Sequence, residues 1–595
     1  MQEPLFAMAL HTTFLEDLAA DLYAKHSAQL HELTIVLPNP RAGSVFKRYL
    51  ATHLSQPVWA PQVLSLKRFL QEHSPLHPAR PLVLTHALYQ TFQALQPQEE
   101  PLERFYAWSY RLLQDFDVID TYLINATHLF ANLREQKALS LALDYLTEAQ
   151  RAAIQSFWKN FEQRLSTHQQ RFLRLWKQLP QVYEAFRKRL QAQGIGYPGL
   201  CQRMAYEALL QGTAPAPYQR LVFAGFNALT PVEEQVLAWY QAHRPTAFYW
   251  DVDACYLEDE RQEAGTYLRA HQRKPYFQQS FVKPFPRRLE QVNEKIKVIA
   301  VAAEVGQAQI IGEQLQALME RQGPDFVPHK TAIVVADEGL LLPVLHALPL
   351  DMTQVSTTLR YPLNATATYR LLVHLIALQI AATQDNFPQD HLVISQVLTV
   401  LKHPHVLSWN PPTVQATLYS LQKTSSSQVS RATLTQENAL YATLFQTLGP
   451  QDSLITYLKE VLQTLQSLLQ DARVSLIPLE KKALAELLCH LDLLQEVVDP
   501  TLRQGADFAQ LLQQLVQPTK IALGYNNVDG VQVVDIFSTQ NLDFEQVFIV
   551  GMNEGNFPAN PSTDSLLPYN LRKGYGLPLM DQHQAALYAY HFYRL

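Results

Sequence analysis

Cysteine is scarce in this sequence, with three residues among 595. Cys201, Cys255 and Cys489 lie far apart and form no Cys-x-x-Cys pair, which argues against a zinc site or a disulfide framework. The sequence also has no run of about 18 apolar residues, the length that a membrane-spanning helix needs. Its first residues carry no basic leader of the secretory type. These absences predict a cytoplasmic protein that makes no membrane contact.

The dipeptide Gly-Lys does not occur anywhere in the chain. A phosphate-binding P-loop of the form GxxxxGK[ST] needs it, because the glycines let backbone amides approach the phosphates and the lysine meets their charge. Residues 9–14, which precede the first predicted strand, contain neither glycine nor lysine. We therefore expect that the chain hydrolyses no ATP and holds no cofactor of its own.

The chain has a formal net charge of -6, with 17% charged and 47% hydrophobic residues. This composition is ordinary for a globular protein, and the length predicts several domains. A net negative charge argues against a protein that coats nucleic acid through its overall charge. It still leaves room for local basic surfaces.

Hydrophobic patterning divides the chain into alternating strand-rich and helix-rich parts. The first set of short strands is predicted at 33–37, 62–66, 220–224 and 246–250. The second set is predicted at 297–301, 331–335, 544–550 and in a run that begins at Val531. Helical patterns dominate between the strands of each set. We therefore predict an α/β protein, helix-rich overall, made of these parts: residues 1–79 with 213–290, a helical insertion at 80–212, residues 291–365 with 518–595, and a helical insertion at 366–517.

A loop rich in glycine, asparagine and proline follows the strand predicted at 544–550. Gly551, Gly555 and Pro558 make it unsuitable for a helix. A buried strand that ends in such a loop places the loop at the carboxyl edge of a parallel sheet, where α/β folds bind their ligands. This edge is the first place where we expect a functional site.

Residues 551–558, Gly-Met-Asn-Glu-Gly-Asn-Phe-Pro, resemble the Gly-x-x-Glu-Gly-x-Phe-Pro loop in the second motor domain of superfamily 1 helicases of the UvrD/RecB type. The preceding segment, 538–544, departs from the His-x-x-Lys-Gly signature of active members. Residues 225–234 resemble the Gly-Phe-x-x-Leu/Phe-Thr-Pro-x-Glu segment of AddB proteins. The chain is therefore identified as a member of the AddB family, the inactivated helicase-like subunits of AddAB helicase–nucleases related to RecBCD.

The resemblance implies two RecA-like domains, each with a large all-helical insertion and neither with a working motor. It implies binding of single-stranded and double-stranded DNA and a role in double-strand break repair by recombination. The implied partner is an AddA-like, UvrD-type helicase–nuclease subunit that uses ATP. Relatives end in a PD-(D/E)xK exonuclease domain that takes Mg²⁺, and residues 1–595 lack its carboxylate and lysine pattern. We expect that domain to be missing from this sequence, with no catalytic or metal-binding residue in the part given.

A basic stretch follows the first predicted strand. Five basic residues and no acidic residue lie between positions 33 and 71. A helix that begins just after a strand offers free amides to a phosphate, and lysine and arginine neutralise it. The alternative is a solvated helix face without a ligand. In active relatives of the resembled family the corresponding segment lies against single-stranded DNA, so the candidate DNA-binding residues are Arg41, Ser44, Lys47, Arg48, Lys67 and Arg68.

Two other polar stretches have structural explanations. Thr230 followed by Glu233 is a capping-box pattern, which assigns Glu233 to a helix terminus and not to catalysis. Residues 264–289 combine basic and aromatic side chains, as single-strand binding requires, but packing of a connector by its aromatics is the favoured interpretation.

Two alternatives to an inactive DNA-binding subunit remain open. One is an active superfamily 1 ATPase with a degenerate P-loop, against which the missing Gly-Lys dipeptide counts. The other is a protein-binding scaffold without affinity for DNA. Measurement of DNA affinity and of its dependence on salt distinguishes the scaffold from the DNA-binding protein.

Overall fold

The structure is a computed structural model. It describes residues 13–95, 102–130, 148, 167–215, 218–291, 296–352, 354–382, 390–409, 411–435, 439–446, 448, 453–468, 478–497, 505–523, 529–559 and 565–595.

The strands within these ranges are short and group into two larger sheets and several two-stranded ribbons. In chain order they are β1 (Leu33–Leu37), β2 (Gln62–Ser65), β3 (His77–Pro78), β4 (Ile195–Gly196), β5 (Arg220–Ala224), β6 (Thr246–Tyr249), β7 (Thr331–Val335), β8 (Val355–Thr357), β9 (Arg360–Pro362), β10 (His391–Val393), β11 (Gln428–Ser430), β12 (Lys520–Ala522), β13 (Val531–Val534) and β14 (Gln546–Val550).

Helices make up most of the described chain. In chain order they are α1 (Phe14–His26), α2 (Pro40–His53), α3 (Leu66–His73), α4 (Pro81–Leu95), α5 (Leu102–Thr121), α6 (Ala126–Phe130), α7 (Thr167–Ala192), α8 (Pro198–Leu210), α9 (Pro231–His243), α10 (Ala254–Leu257), α11 (Thr266–Gln272), α12 (Pro275–Gln278), α13 (Glu304–Gln322), α14 (Leu341–Ala347), α15 (Ala367–Ala382), α16 (Ile394–Leu401), α17 (Pro404–Trp409), α18 (Pro411–Lys423), α19 (Arg431–Thr435), α20 (Ala439–Leu444), α21 (Leu454–Leu468), α22 (Pro478–Val497), α23 (Gly505–Val516), α24 (Tyr569–Gly574) and α25 (Met580–Arg594).

The first sheet is parallel, with the strand order β2-β1-β5-β6. Every residue of β1 is buried, as expected for a strand that is covered on both faces. Ile35 and Leu37 pack with α1 and α2 on one face. Val36 packs with α3 and α9 on the other. The strands predicted at 33–37 and 220–224 are confirmed with these bounds, and the other two end one residue earlier than predicted.

The second sheet is also parallel, with the strand order β14-β7-β13-β8. Ile333 and Val335 face a core that α13 shares, whereas Val334 faces a smaller cluster that includes Tyr588 of α25. Since β14 ends at Val550, the loop that begins at Gly551 lies at the carboxyl edge of this sheet, as predicted. The prediction of a helix-rich α/β protein is therefore confirmed.

Helices dominate the two intervals where helical insertions are predicted. Helices α4 to α8 occupy most of the described part of 80–212. Residues 96–101, 131–147 and 149–166 of this interval lie outside the described residues. Helices α15 to α23 occupy the described part of 366–517. A small antiparallel pairing of β10 with β11 interrupts the second interval. The sequence does not predict this ribbon, because three-residue strands carry too little periodicity.

The strand predicted at 297–301 does not form in the structure. This segment forms neither a helix nor a strand and is not paired with either sheet. Ile296 and Val298 expose 83% and 93% of their surface. A run of β-branched residues becomes a strand only where a neighbour completes its hydrogen bonds, and the sequence pattern does not supply that neighbour.

The segment at 565–595 packs on the second sheet through Tyr588, but it also contacts the first unit, which is the described part of residues 1–290. The sequence assigns it to the second unit, but Leu571 of α24 joins the core of the first helical interval. Tyr590 of α25 joins the core of the first sheet. No helix within the described ranges has both the length and the apolar character to cross a bilayer.

Candidate functional site

Helix α2 follows the first sheet in the chain and contacts residues at the second sheet. Asn39 caps it by accepting a hydrogen bond from the amide of Ala42 at 2.8 Å. In the first turn the guanidinium of Arg41 donates to the hydroxyl of Ser356 in β8. Two turns later the guanidinium of Arg48 pairs with Asp529, which precedes β13, at 3.2 Å. Two of the predicted DNA-binding residues are thus contacts between the two α/β units.

The environment of Arg41 differs from the open face that its sequence position suggests. The residue is only partly exposed and its partner Ser356 is fully buried. Burial lowers the pKa of Arg41, and the carboxylate of Asp535 opposes that effect. Arg41 and Arg48 share a helix face, as predicted, but that face packs against the second unit. Sequence alone cannot anticipate this because Ser356 lies 315 residues away from Arg41.

The other two candidates on α2 face solvent. The hydroxyl of Ser44 donates to the carbonyl of Pro40 at 3.3 Å, and the side chain is exposed. Lys47 is exposed and makes no ion pair with another described residue. These two residues retain the free surface that a phosphate contact requires.

Lys67 and Arg68 lie on α3, which covers the opposite face of the first sheet from α2. Ser65 caps α3 by accepting a hydrogen bond from the amide of Arg68. Both basic side chains are exposed, and Arg68 pairs with Glu72 at 3.0 Å within the helix. The structure therefore does not bring the six predicted residues onto one helix face. They divide between an interface pair, Arg41 and Arg48, and two separate exposed pairs.

The carboxyl edge of the first sheet is filled by a segment from the second unit. The amide nitrogen of the Asn39 side chain donates to the carbonyl of Gln540 at 3.3 Å. The side chain of Gln540 donates to the carbonyl of Gly225 at 3.0 Å. The side chain of Asn541 donates to Asp251 at 3.1 Å. Residues that follow three strands of the first sheet are thus hydrogen-bonded to Gln540 and Asn541, two consecutive residues after β13.

Close packing accompanies these hydrogen bonds. Asn541 is fully buried and adopts a positive φ of 60°, a conformation that asparagine tolerates better than most residues. Gly225 has a φ of 73°, and a Cβ added there would lie 2.4 Å from the side-chain oxygen and nitrogen of Asn541. Only glycine fits both the backbone conformation and the approach of Asn541.

Arg594 completes the arrangement, which we call the edge cluster: Asn541, Asp251, Asp543 and Arg594. The Nε of Arg594 donates to Asp251, and its Nη1 donates to Asp543 at 2.8 Å. The side chain of Arg594 is only 8% exposed. Burial alone would lower the pKa of Arg594, but the two carboxylates outweigh it and raise this pKa well above the ordinary value.

The carboxylates that follow β5 have structural partners. Glu233 and Thr230 form the predicted capping box of α9, with the Thr230 amide donating to Glu233 at 2.8 Å. Glu234 is paired with Lys274 and lies 3.1 Å from Nδ1 of His271. No group of three or more potential metal ligands occurs within the ranges that the structure describes. The capping interpretation of Glu233 is therefore confirmed.

The connector at 264–289 is packed and not open. Phe277, Phe281 and Phe285 are buried in the core of the first sheet. Arg287 pairs with Glu258 at 2.8 Å and Arg288 pairs with Asp17 at the same distance. The aromatic side chains stabilise the fold here, as the favoured interpretation predicts.

The loop that carries the helicase resemblance is anchored at the carboxyl edge of the second sheet. The amide of Gly551 donates to Gln307 of α13 at 2.9 Å, and the side chain of Asn556 donates to Asp337 at 3.3 Å. Glu554 of this loop is exposed. The loop is therefore held at both ends and presents its central carboxylate to solvent.

Asp251 and Arg594 escape notice in the sequence. Asp251 follows a predicted strand and offers a weak signal as a carboxylate at a sheet edge. Arg594 offers none, because it lies 343 residues from its partner. Comparison with known protein families found no family model that matches this chain, and comparison with curated proteins found no sufficiently similar sequence.

Proposed function

We propose that this chain is a DNA-binding, helicase-like subunit without ATPase activity, of the AddB type, acting with an AddA-like helicase–nuclease in double-strand break repair by recombination. The proposal joins the motif resemblance at 225–234 and 551–558 with one structural observation, the edge cluster. Two parallel sheets with helical intervals between their strands are compatible with two RecA-like domains. In such folds a nucleotide binds outside the carboxyl ends of the strands.

The edge cluster favours an inactive motor over an active ATPase with a degenerate P-loop. Gln540 and Asn541 occupy the carboxyl edge of the first sheet with side chains and backbone of this chain. A nucleotide there would have to displace buried hydrogen bonds and a buried ion pair, which is costly. The subunit is proposed to guide single-stranded DNA, with the ATP bound by the partner.

Two measurements on the purified chain test this proposal. We expect fluorescence anisotropy to show binding of single-stranded and duplex oligonucleotides that weakens as salt increases, because phosphate contacts release counterions. We expect no DNA-stimulated release of phosphate from ATP. Turnover that persists after removal of contaminating helicases would support the active ATPase. An absence of DNA binding even at low salt would support the protein scaffold.

The exposed candidates give a sharper prediction than the interface pair. Replacing Lys47, Lys67 and Arg68 together with alanine is expected to lower single-strand affinity. It should also reduce the slope of log affinity against log salt by roughly 0.7 for each phosphate that the variant no longer neutralises. The thermal unfolding midpoint should stay unchanged, since these side chains are exposed and exposed substitutions usually cost little.

A matched control removes three exposed cations elsewhere: Lys177→Ala, Arg244→Ala and Arg321→Ala. It changes the net charge by the same amount and should leave the salt slope near that of the wild type. An equal reduction of affinity in both variants would indicate a general charge effect and remove α2 and α3 from the DNA-binding surface. Arg41→Ala and Arg48→Ala are unsuitable here because they also disturb the contact between the units.

A further inference from the structure

Four chain segments meet where the second helical interval joins the second sheet. The carboxylate of Glu480 in α22 accepts hydrogen bonds from the amides of Ala367 and Thr368 at 3.0 and 2.9 Å. The ring of His403 contacts the carbonyl of Ala367 at 3.0 Å. Lys482 donates to the carbonyl of Ala522 at 3.0 Å. Residues 360–370, 402–405, 480–482 and 520–522 therefore form one continuous region.

Pairing of β9 with β12 connects this region further. Arg360 is the register partner of Ala522, so it lies beside the carbonyl that accepts from Lys482. Arg370 lies one turn along α15 from Ala367, and it donates to the carbonyl of Ala365 at 2.9 Å. The four segments that carry these basic residues are thus in contact with one another, although they are far apart in the sequence.

We call five exposed cations of this region the insertion patch. They are Arg360, Arg370, Lys402, Lys481 and Lys482. Lys520 is also exposed, but it is left out of the patch because its charge is paired with Glu338.

Glu480 is the only acidic residue in the four segments, and its charge is directed inward. The residue is buried, and Thr368 donates to it through its hydroxyl at 2.7 Å. His405 lies 3.5 Å away on the same carboxylate. The Glu480 carboxylate also satisfies the first amides of α15, so the patch owes its character to side chains and not to a free helix terminus. The exposed surface of the four segments is therefore basic, in a chain whose net charge is -6.

We propose that the insertion patch binds the phosphate backbone of nucleic acid. Five exposed cations spread over four segments suit a ligand with repeated, spaced negative charges better than a single small anion. Backbone contacts of this kind position a nucleic acid without reading its sequence. The inference rests on the proposed function for the identity of the ligand, but it concerns α15, α22 and the ribbon of β9 and β12, which are separate from α2 and α3.

The test replaces the three cations of the patch whose side chains make no ion pair or hydrogen bond with another described residue: Arg360→Ala, Lys402→Ala and Lys481→Ala. Binding of a fluorescent duplex and of a single strand of equal length is measured by anisotropy across a salt series. We expect the slope of log affinity against log salt for the duplex to fall by roughly 0.9 for each phosphate that is no longer neutralised. The thermal unfolding midpoint should match that of the wild type.

The triple variant of Lys177, Arg244 and Arg321 serves again as the charge-matched control and should retain the wild-type slope. Vesicles of phosphatidylserine provide a second polyanion, and neither variant should alter any binding to them. Wild-type DNA binding with an unchanged slope in the patch variant overturns this inference alone. An absence of wild-type DNA binding overturns both it and the proposed function. A loss of vesicle binding without a loss of DNA binding assigns the patch to anionic membranes and also overturns the inference.

Discussion

Replacing Asp251 with alanine is expected to lower the free energy of unfolding by about 3 kcal/mol, because it leaves a buried guanidinium with one of its two carboxylates missing. The Nε of Arg594 and the side chain of Asn541 both donate to Asp251. Both donors are buried, so water cannot replace the missing acceptor. The change in the free energy of unfolding is measured by urea-induced unfolding of the variant and the wild type.

Two further variants separate the edge cluster from a general effect of removing charge. Asp529→Ala removes the partner of Arg48, but that carboxylate is 73% exposed, and exposed ion pairs contribute about 1 kcal/mol or less. Adding Arg594→Met to Asp251→Ala should recover part of the stability, because the unpaired charge is then gone. An Asp251→Ala protein as stable as Asp529→Ala would mean that water enters the carboxyl edge of the first sheet.

Replacing Glu480 with alanine is expected to cost about 4 kcal/mol, since it removes the acceptor of several buried donors at once. The amides of Ala367 and Thr368 and the Thr368 hydroxyl all donate to this carboxylate. Alanine at the adjacent, exposed Lys481 is the control, with an expected change within about 0.5 kcal/mol. Equal midpoints of urea-induced unfolding for the Glu480 and Lys481 variants would contradict a structural role for Glu480.

We expect the Glu480 carboxylate to make the stability of the fold depend on pH. Burial alone would raise the pKa of Glu480, but hydrogen bonds from His405, Thr368 and Ala367 outweigh it and lower the pKa from 4.5 to about 2. The folded state therefore binds the proton more weakly than the unfolded state. The stability that the Glu480 carboxylate contributes is complete at pH values above its pKa in the unfolded state. It is lost as the pH falls through the lower pKa of the folded state. The difference in unfolding midpoint between wild type and Glu480→Gln should shrink as the pH falls from 5 towards 2.

Local patterns predict local structure well. The run at 33–37 is apolar throughout except for Thr34 and forms β1, and Thr230 with Glu233 forms the expected capping box. Both depend on residues within a few positions of each other. The segment at 297–301 has a similar apolar and β-branched character but lacks a partner strand, and partners are not encoded locally.

Local sequence patterns do not predict the contacts between the two units. The spacing of Arg41 and Arg48 places them correctly on one face of α2, but only the structure shows that this face meets Ser356 and Asp529. The edge cluster joins Asp251 to residues 290 and 343 positions away. Single-sequence reasoning describes which face of an element is basic or apolar, and it does not describe which distant element covers that face.

The return of 565–595 to the first unit bears on how the chain folds during synthesis. Strand β1 pairs with the distant strand β5, and the core of the first sheet includes Tyr590. Domains usually fold in order as the ribosome releases them, and contacts between distant residues slow that process. Here the earliest strands cannot complete their packing until α25 has emerged. The nascent first unit must therefore wait, with part of its apolar surface uncovered, while most of the described chain is translated.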